Sequence, residues 1–93
     1  MIASFRDRGT RRLFERELSV GFPQDIVRSA LRKLAMLDAA VDLNDVRVPP
    51  SNHLEKLVGD RAGWYSIRVN GQWRICFRWI DGKAHDVELV DYH

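Results

Sequence analysis

The sequence predicts an α+β fold in which two N-terminal helices pack on one face of a mostly antiparallel β-sheet. Three observations carry that prediction. Apolar residues recur at helical spacing between Val27 and Val41, the prolines of Val48-Pro49-Pro50-Ser51 mark a change of chemistry, and beyond Trp64 apolar and polar residues alternate. The 93 residues read as one domain, 1–93, with a single modest core. Hydrophobic residues at 45% and charged residues at 30% fit a folded globular chain rather than a disordered tail. One cysteine, Cys76, excludes an intrachain disulfide, and its place in an apolar strand predicts a buried free thiol. No apolar run reaches membrane-spanning length, and Met1-Ile2-Ala3-Ser4-Phe5-Arg6 turns charged at once, unlike a signal peptide. A cytoplasmic protein with no membrane partner is expected.

Taken in order, Ile2 to Arg6 alternates and suits a short β segment. Asp7 or Thr10 can cap a first helix running to about Leu18, with Leu13, Phe14 and Leu18 on its apolar side. Gly21-Phe22-Pro23 interrupts it, and Pro23 suits the first position of a second helix with Asp25 in its first turn. Val27, Ala30, Leu31, Leu34, Leu37 and Val41 form the core stripe of that helix, and Arg28, Ser29, Arg32 and Lys33 take its other side. Asp42-Leu43-Asn44-Asp45 reads as a helix exit with one further turn, followed by a stiff extended linker at 48–51.

The second half reads as strands. His53 to Leu57 is a candidate strand ended by Gly59-Asp60. Tyr65, Ile67 and Val69 alternate with Ser66, Arg68 and Asn70, and Trp73, Ile75, Phe77 and Trp79 alternate with Arg74, Cys76 and Arg78. A two-residue Asn70-Gly71 loop would put Ile67 opposite Arg74, so a three-residue loop is expected, pairing Val69 with Trp73, Ile67 with Ile75, Tyr65 with Phe77 and Arg68 with Arg74. The same reasoning at Asp81-Gly82-Lys83 pairs Phe77 with Val87, Ile75 with Leu89 and Arg78 with Asp86. The helices then cover the apolar face, and the other face carries Arg68, Arg74 and Arg78. Arginines facing each other across strands repel unless an anion sits between them, although Asp86 and Glu88 can neutralise part of that charge.

Lysine occurs only at Lys33, Lys56 and Lys83, so arginine supplies most of the fifteen basic residues, and arginine suits bidentate phosphate recognition. His53, His85 and His93 share no metal-ligand spacing, and Gly59-Asp60-Arg61-Ala62-Gly63 lacks the Lys-Ser/Thr of a nucleotide loop, so neither a metal nor a cofactor is expected. Acid–base chemistry with cationic stabilisation remains. RNA carries its own nucleophile, the 2′-hydroxyl, so a ribonuclease needs a base, an acid and cations on the phosphoryl oxygens. Histidine suits the first two roles near neutral pH, Arg74, Arg68 and Lys56 suit the third, and the terminal Asp91, Tyr92 and His93 supply an acid, a phenol and an imidazole. Each has a structural alternative: His53 as a loop-packing residue, His85 as a surface residue, and Trp64, Trp73 and Trp79 as core rather than base-stacking platforms.

The segments Pro49-Pro50-Ser51-Asn52-His53-Leu54-Glu55-Lys56-Leu57, Gly59-Asp60-Arg61, Tyr65-Ser66-Ile67-Arg68-Val69-Asn70, Trp73-Arg74-Ile75-Cys76-Phe77 and Val87-Glu88-Leu89-Val90-Asp91-Tyr92-His93 together resemble the HigB toxins of the RelE superfamily. The resemblance covers nearly the whole chain. It implies a RelE-like fold and a ribosome-dependent mRNA endonuclease that cuts in the ribosomal 30S A site without a metal. Its implied partner is a HigA-type helix-turn-helix antitoxin, and it would reach operator DNA only through that antitoxin. Carried over to this sequence, the family's functional positions fall on His53, Lys56, Arg74, Asp91, Tyr92 and His93. His93 is then the leading general acid/base with His53 as its counterpart, while Arg68, Arg78 and Trp64 are expected to touch RNA. Trp64 stands where the family commonly has Gln and Trp73 where it commonly has Tyr, which bears on base preference more than on activity. The alternative to an endonuclease is a non-catalytic module, or degenerate toxin, that binds RNA or the antitoxin through the same basic face.

Overall fold

The computed structural model describes residues 1–17 and 21–91. Its helices are α1 (Arg8–Phe14) and α2 (Gln24–Ala39), and its strands are β1 (Glu55–Lys56), β2 (Trp64–Arg68), β3 (Trp73–Ile80) and β4 (Lys83–Asp91). The strands form one antiparallel meander in the order β1-β2-β3-β4. Leu13 of α1 and Ile26, Ala30, Leu34 and Leu37 of α2 share a core with Ile67, Ile75, Phe77, Val87 and Leu89 of the sheet. The α+β architecture expected from the sequence is the one formed.

Asp7 caps α1, its Oδ2 accepting from the Thr10 N–H at 3.0 Å. The helix ends at Phe14 rather than running to Leu18, because the chain turns left-handed at Arg16 (φ 58°). Leu18 lies outside the described residues. In α2, Pro23 stands one position before the first helical residue rather than on it. Val41 is not part of the apolar stripe: the helix ends at Ala39, Ala40 turns extended, and Val41 is 80% exposed. Lys33, expected on the solvent side, is only 8% exposed.

The linker also departs from expectation. Leu43–Arg47 is a 3₁₀ turn closed by reciprocal bonds between Asp42 and Asp45. After a cis Val48–Pro49 bond, Pro50–Asn52 forms a second 3₁₀ turn instead of running extended. The buried Asn52 amide holds it there, donating to the Val46 carbonyl at 3.1 Å and accepting from Lys33. His53 closes that turn with φ 44°, so the strand expected over 53–57 shrinks to Glu55–Lys56.

The odd loop between β2 and β3 forms as expected, with Arg68 opposite Arg74, Ile67 opposite Ile75 and Tyr65 opposite Phe77. Asn70 Oδ1 makes it possible by accepting from the N–H groups of both Gln72 and Trp73 at 2.8 Å. The next hairpin differs near its turn. Asp81 (φ 52°) and Gly82 (φ 75°) make a two-residue loop with both φ positive, which pairs Ile80 with Lys83 and Arg78 with His85. A bulge between Cys76 and Arg78 then restores the expected register at Ile75 and Leu89. Arg78 and Asp86 are therefore not cross-strand partners in register, although their side chains still meet.

The N-terminal segment runs parallel beside β4 through bridges at Ile2–Ala84 and Phe5–Val87. Ser4 Oγ accepts from the bulged Asp86 N–H at 2.9 Å, and Thr10 Oγ1 accepts from the Leu89 N–H at 2.9 Å. The outer edge of β4 is thus capped by its own chain.

Candidate functional site

The face of the sheet opposite the helices holds Trp64, Ser66, Arg68, Arg74, Cys76 and Arg78, and it is less open than the alternation suggests. Arg74 is 9% exposed. Its Nε donates to Ser66 Oγ at 2.8 Å, and its Nη2 donates to the His53 carbonyl at 2.6 Å and stands 3.7 Å from Glu55 Oε1. The sequence reason is local: Glu55 pairs with Ser66 across β1 and β2, and Ser66 sits diagonal to Arg74 across β2 and β3. Arg74 is therefore a held cation with its guanidinium under the left-handed turn at His53. Histidine adopts that backbone region more readily than most residues, and His53 is exposed there.

A second cluster gathers at Trp64. The Arg61 guanidinium lies 4.1 Å from the centre of the Trp64 ring, with those of Arg6 at 5.4 Å and Arg78 at 5.9 Å. Glu88 pairs with Arg61 at 3.1 Å and with Arg6 at 3.8 Å, and Asp86 pairs with Arg78 at 2.9 Å. These two carboxylates offset part of the charge of the three arginines, as the sequence allowed. Beneath it, burial pushes the Cys76 thiol above its ordinary pKa, in keeping with an inert core sulfur.

The remaining sequence-derived positions divide. His53 and Arg74 are brought together through the backbone contact. Lys56 pairs with Tyr65, on the opposite side of the β1–β2 ladder from Glu55 and Ser66. Asp91 pairs with Trp73 and accepts from Gln72 Nε2 at 2.9 Å, one residue beyond the Arg74–Val90 pair. Arg68 is exposed at the end of β2. Tyr92 and His93 lie outside the described residues.

Sequence reasoning did not single out Glu55, Ser66 or Arg61. The period-two pattern could have flagged Ser66, since a small hydroxyl diagonal to an arginine is a ready acceptor. Glu55 depended on the register of a two-residue strand, and Arg61 on a loop. Lys33 was missed as well: burial, with the Arg32 charge beside it, holds its ammonium below the ordinary lysine pKa.

Residues 3–93 match the family described as RelE-like toxin of type II toxin–antitoxin system HigB. The chain is 41% identical over 90 residues to Toxin HigB-1 of Vibrio cholerae serotype O1, covering 96% of this chain and 95% of that one. It is 36% identical over 93 residues to Endoribonuclease HigB of Proteus vulgaris, covering 100% of both. Its fold is similar to a chain of the YoeB–YefM complex from Staphylococcus aureus, with a TM-score of 0.63, 17% identity, and coverage of 100% of this chain and 98% of that one. A profile matched along nearly the whole chain, two full-length relatives and the α+β meander together place this protein in the HigB-like toxin family of the RelE superfamily.

Proposed function

We propose that this single domain is a ribosome-dependent mRNA endonuclease that cleaves in the A site and is restrained by a HigA-type antitoxin. The observation that carries the reading is the end-to-end similarity to a protein named as an endoribonuclease, and the held Arg74 gives it a chemical centre. In the proposed reaction a base removes the 2′-hydroxyl proton and the 2′-oxygen attacks the adjacent phosphorus. The bond to the 5′-oxygen breaks as an acid protonates that oxygen, leaving a 2′,3′-cyclic phosphate and a 5′-hydroxyl. His93 is the leading acid/base, His53 its counterpart, and Tyr92 and Asp91 orient the imidazole or the RNA. Arg74 and Lys56 stabilise charge on the phosphoryl oxygens, and Arg68, Arg78 and Trp64 contact the strand. Arg74 is suited to that role because Ser66 and His53 fix its guanidinium before substrate arrives, so little reorganisation is needed in the transition state.

One observation favours a second reading, a binding module without catalysis: Arg74 directs hydrogen bonds to its own chain, as a structural arginine does. Primer extension on mRNA programmed into ribosomes separates the two. Wild-type protein should give codon-phased cuts that require ribosomes, and the cuts should vanish in His93→Gln and fall steeply in Arg74→Lys, which keeps the charge and loses the fork. An intact message, with salt-dependent RNA binding that survives His93→Gln and His53→Gln, would establish the binding module instead.

A further inference from the structure

A cavity of about 320 Å³ opens between α2 and the loop that follows β2, lined by Ser29, Arg32, Lys33, Ser51, Arg68, Val69 and Asn70. Three of these residues are cations and none is a carboxylate. Lys33 is the least expected of them, since a lysine only 8% exposed ordinarily has an anionic partner. Its ammonium donates to Asn52 Oδ1, which engages one of its three N–H groups. Among the described residues, neither Lys33, Arg32 nor Arg68 forms an ion pair. Gathering three like charges around one cavity, one of them buried, is unfavourable on its own and is relieved when an anion enters.

The cavity is built rather than incidental. Ser29 Oγ donates to the Val69 carbonyl at 3.3 Å, fixing α2 against the end of β2. Asn52 holds Lys33 from below while its own amide group donates to the Val46 carbonyl. Two links along the chain connect the cavity to the arginine site. Arg68 is the register partner of Arg74, and Asn52 directly precedes His53, whose carbonyl accepts from Arg74.

We propose that this cavity is a phosphodiester subsite, in which Lys33, Arg32 and Arg68 hold a backbone phosphate of the RNA next to the one that is cleaved. The inference rests on the endoribonuclease reading above. Two planar guanidinium forks around a point-charge ammonium match the oxygens of a phosphate. No aromatic residue lines the cavity, so a base would find nothing there to stack on.

The test uses the full chain and a tetranucleotide made uncleavable by 2′-O-methyl groups, with a set of variants carrying one uncharged methylphosphonate linkage each. Binding is read by fluorescence anisotropy, and ribosomal cleavage is measured in parallel. The wild type should lose about tenfold in affinity when one particular linkage next to the scissile position is neutralised, the scale of a charge-assisted hydrogen bond. Lys33→Met and Arg68→Gln should each weaken binding of the fully charged strand and become insensitive to that same linkage. Arg68 is exposed, so its variant keeps the test valid if loss of Lys33 disturbs folding. Linkage sensitivity unchanged in both variants, in a protein that still cleaves on ribosomes, would overturn the subsite and leave the function standing. A wild type that neither cleaves nor binds the strand would overturn both.

Discussion

Lys33 shows how one residue links stability to site chemistry. Its ammonium is buried in α2, and burial, followed by the charge of Arg32, lowers its pKa in the folded state. The unfolded chain keeps the ordinary lysine value of about 10.4. At pH values below both, each state is protonated and the full cost of burying the charge opposes folding. As the pH rises through the folded value, the folded protein binds fewer protons than the unfolded one, so stability increases with pH. Lys33→Met keeps the length of the side chain and removes this dependence, while leaving Asn52 Oδ1 without its donor at a cost of about 1–3 kcal/mol. Urea denaturation of both proteins between pH 7 and 10 should show the wild type gaining on the variant as pH rises. A constant difference across that range would mean that the buried ammonium carries no penalty.

At the scale of elements, α1 is held by its contacts rather than by its length. Seven residues are too few to be stable as an isolated helix. Thr10 binds it to the sheet, because its buried hydroxyl accepts from the Leu89 N–H of an edge strand. Thr10→Val keeps the shape and removes the acceptor, leaving a buried N–H unsatisfied, and should destabilise the protein by about 1–3 kcal/mol. Thr10→Ser should remain within about 1 kcal/mol of wild type, since it retains the oxygen and loses only a methyl group. Equal losses in the two variants would assign the effect to packing instead. These dependencies also mark what could be read from the sequence. The β2–β3 register was legible because slipping it by one residue would bury Arg74 among the isoleucines. The β3–β4 register was legible only away from its turn, since the bulge at Asp86 depends on a hydrogen bond that its N–H donates to Ser4, more than eighty residues earlier in the chain. Arg74 could be named from its place in an alternating strand. Its partners Ser66, Glu55 and the His53 carbonyl required the fold, and Lys33 was read as solvent-facing because helical periodicity cannot foresee that Asn52 folds over it.

For the whole molecule, the distribution of charge matters more than the net +2. The protein measures 31 × 27 × 25 Å, several times the screening length of about 8 Å at physiological salt, so separate regions of its surface present separate fields. Around Trp64, Arg6 and Arg61 are paired with Glu88 and Arg78 with Asp86. Around the cavity at the end of β2, the cations Arg32, Lys33 and Arg68 face no carboxylate among the lining residues. The proposed subsite therefore puts a phosphate contact at the cavity rather than at the aromatic and arginine-rich end. Salt dependence measures this directly, because each phosphate neutralised on a single strand contributes about −0.7 to the slope of log K against log salt. Neutralising the cavity with Arg32→Gln, Lys33→Met and Arg68→Gln together should reduce the slope by about 0.7, since three cations around one cavity serve one phosphate. A reduction of about 2 would mean that each cation meets a phosphate of its own. The variant Arg61→Gln should leave the slope nearly unchanged, because Glu88 already offsets that charge at 3.1 Å. A larger change in that variant than in the cavity triple would move the RNA path to the Trp64 end of the sheet.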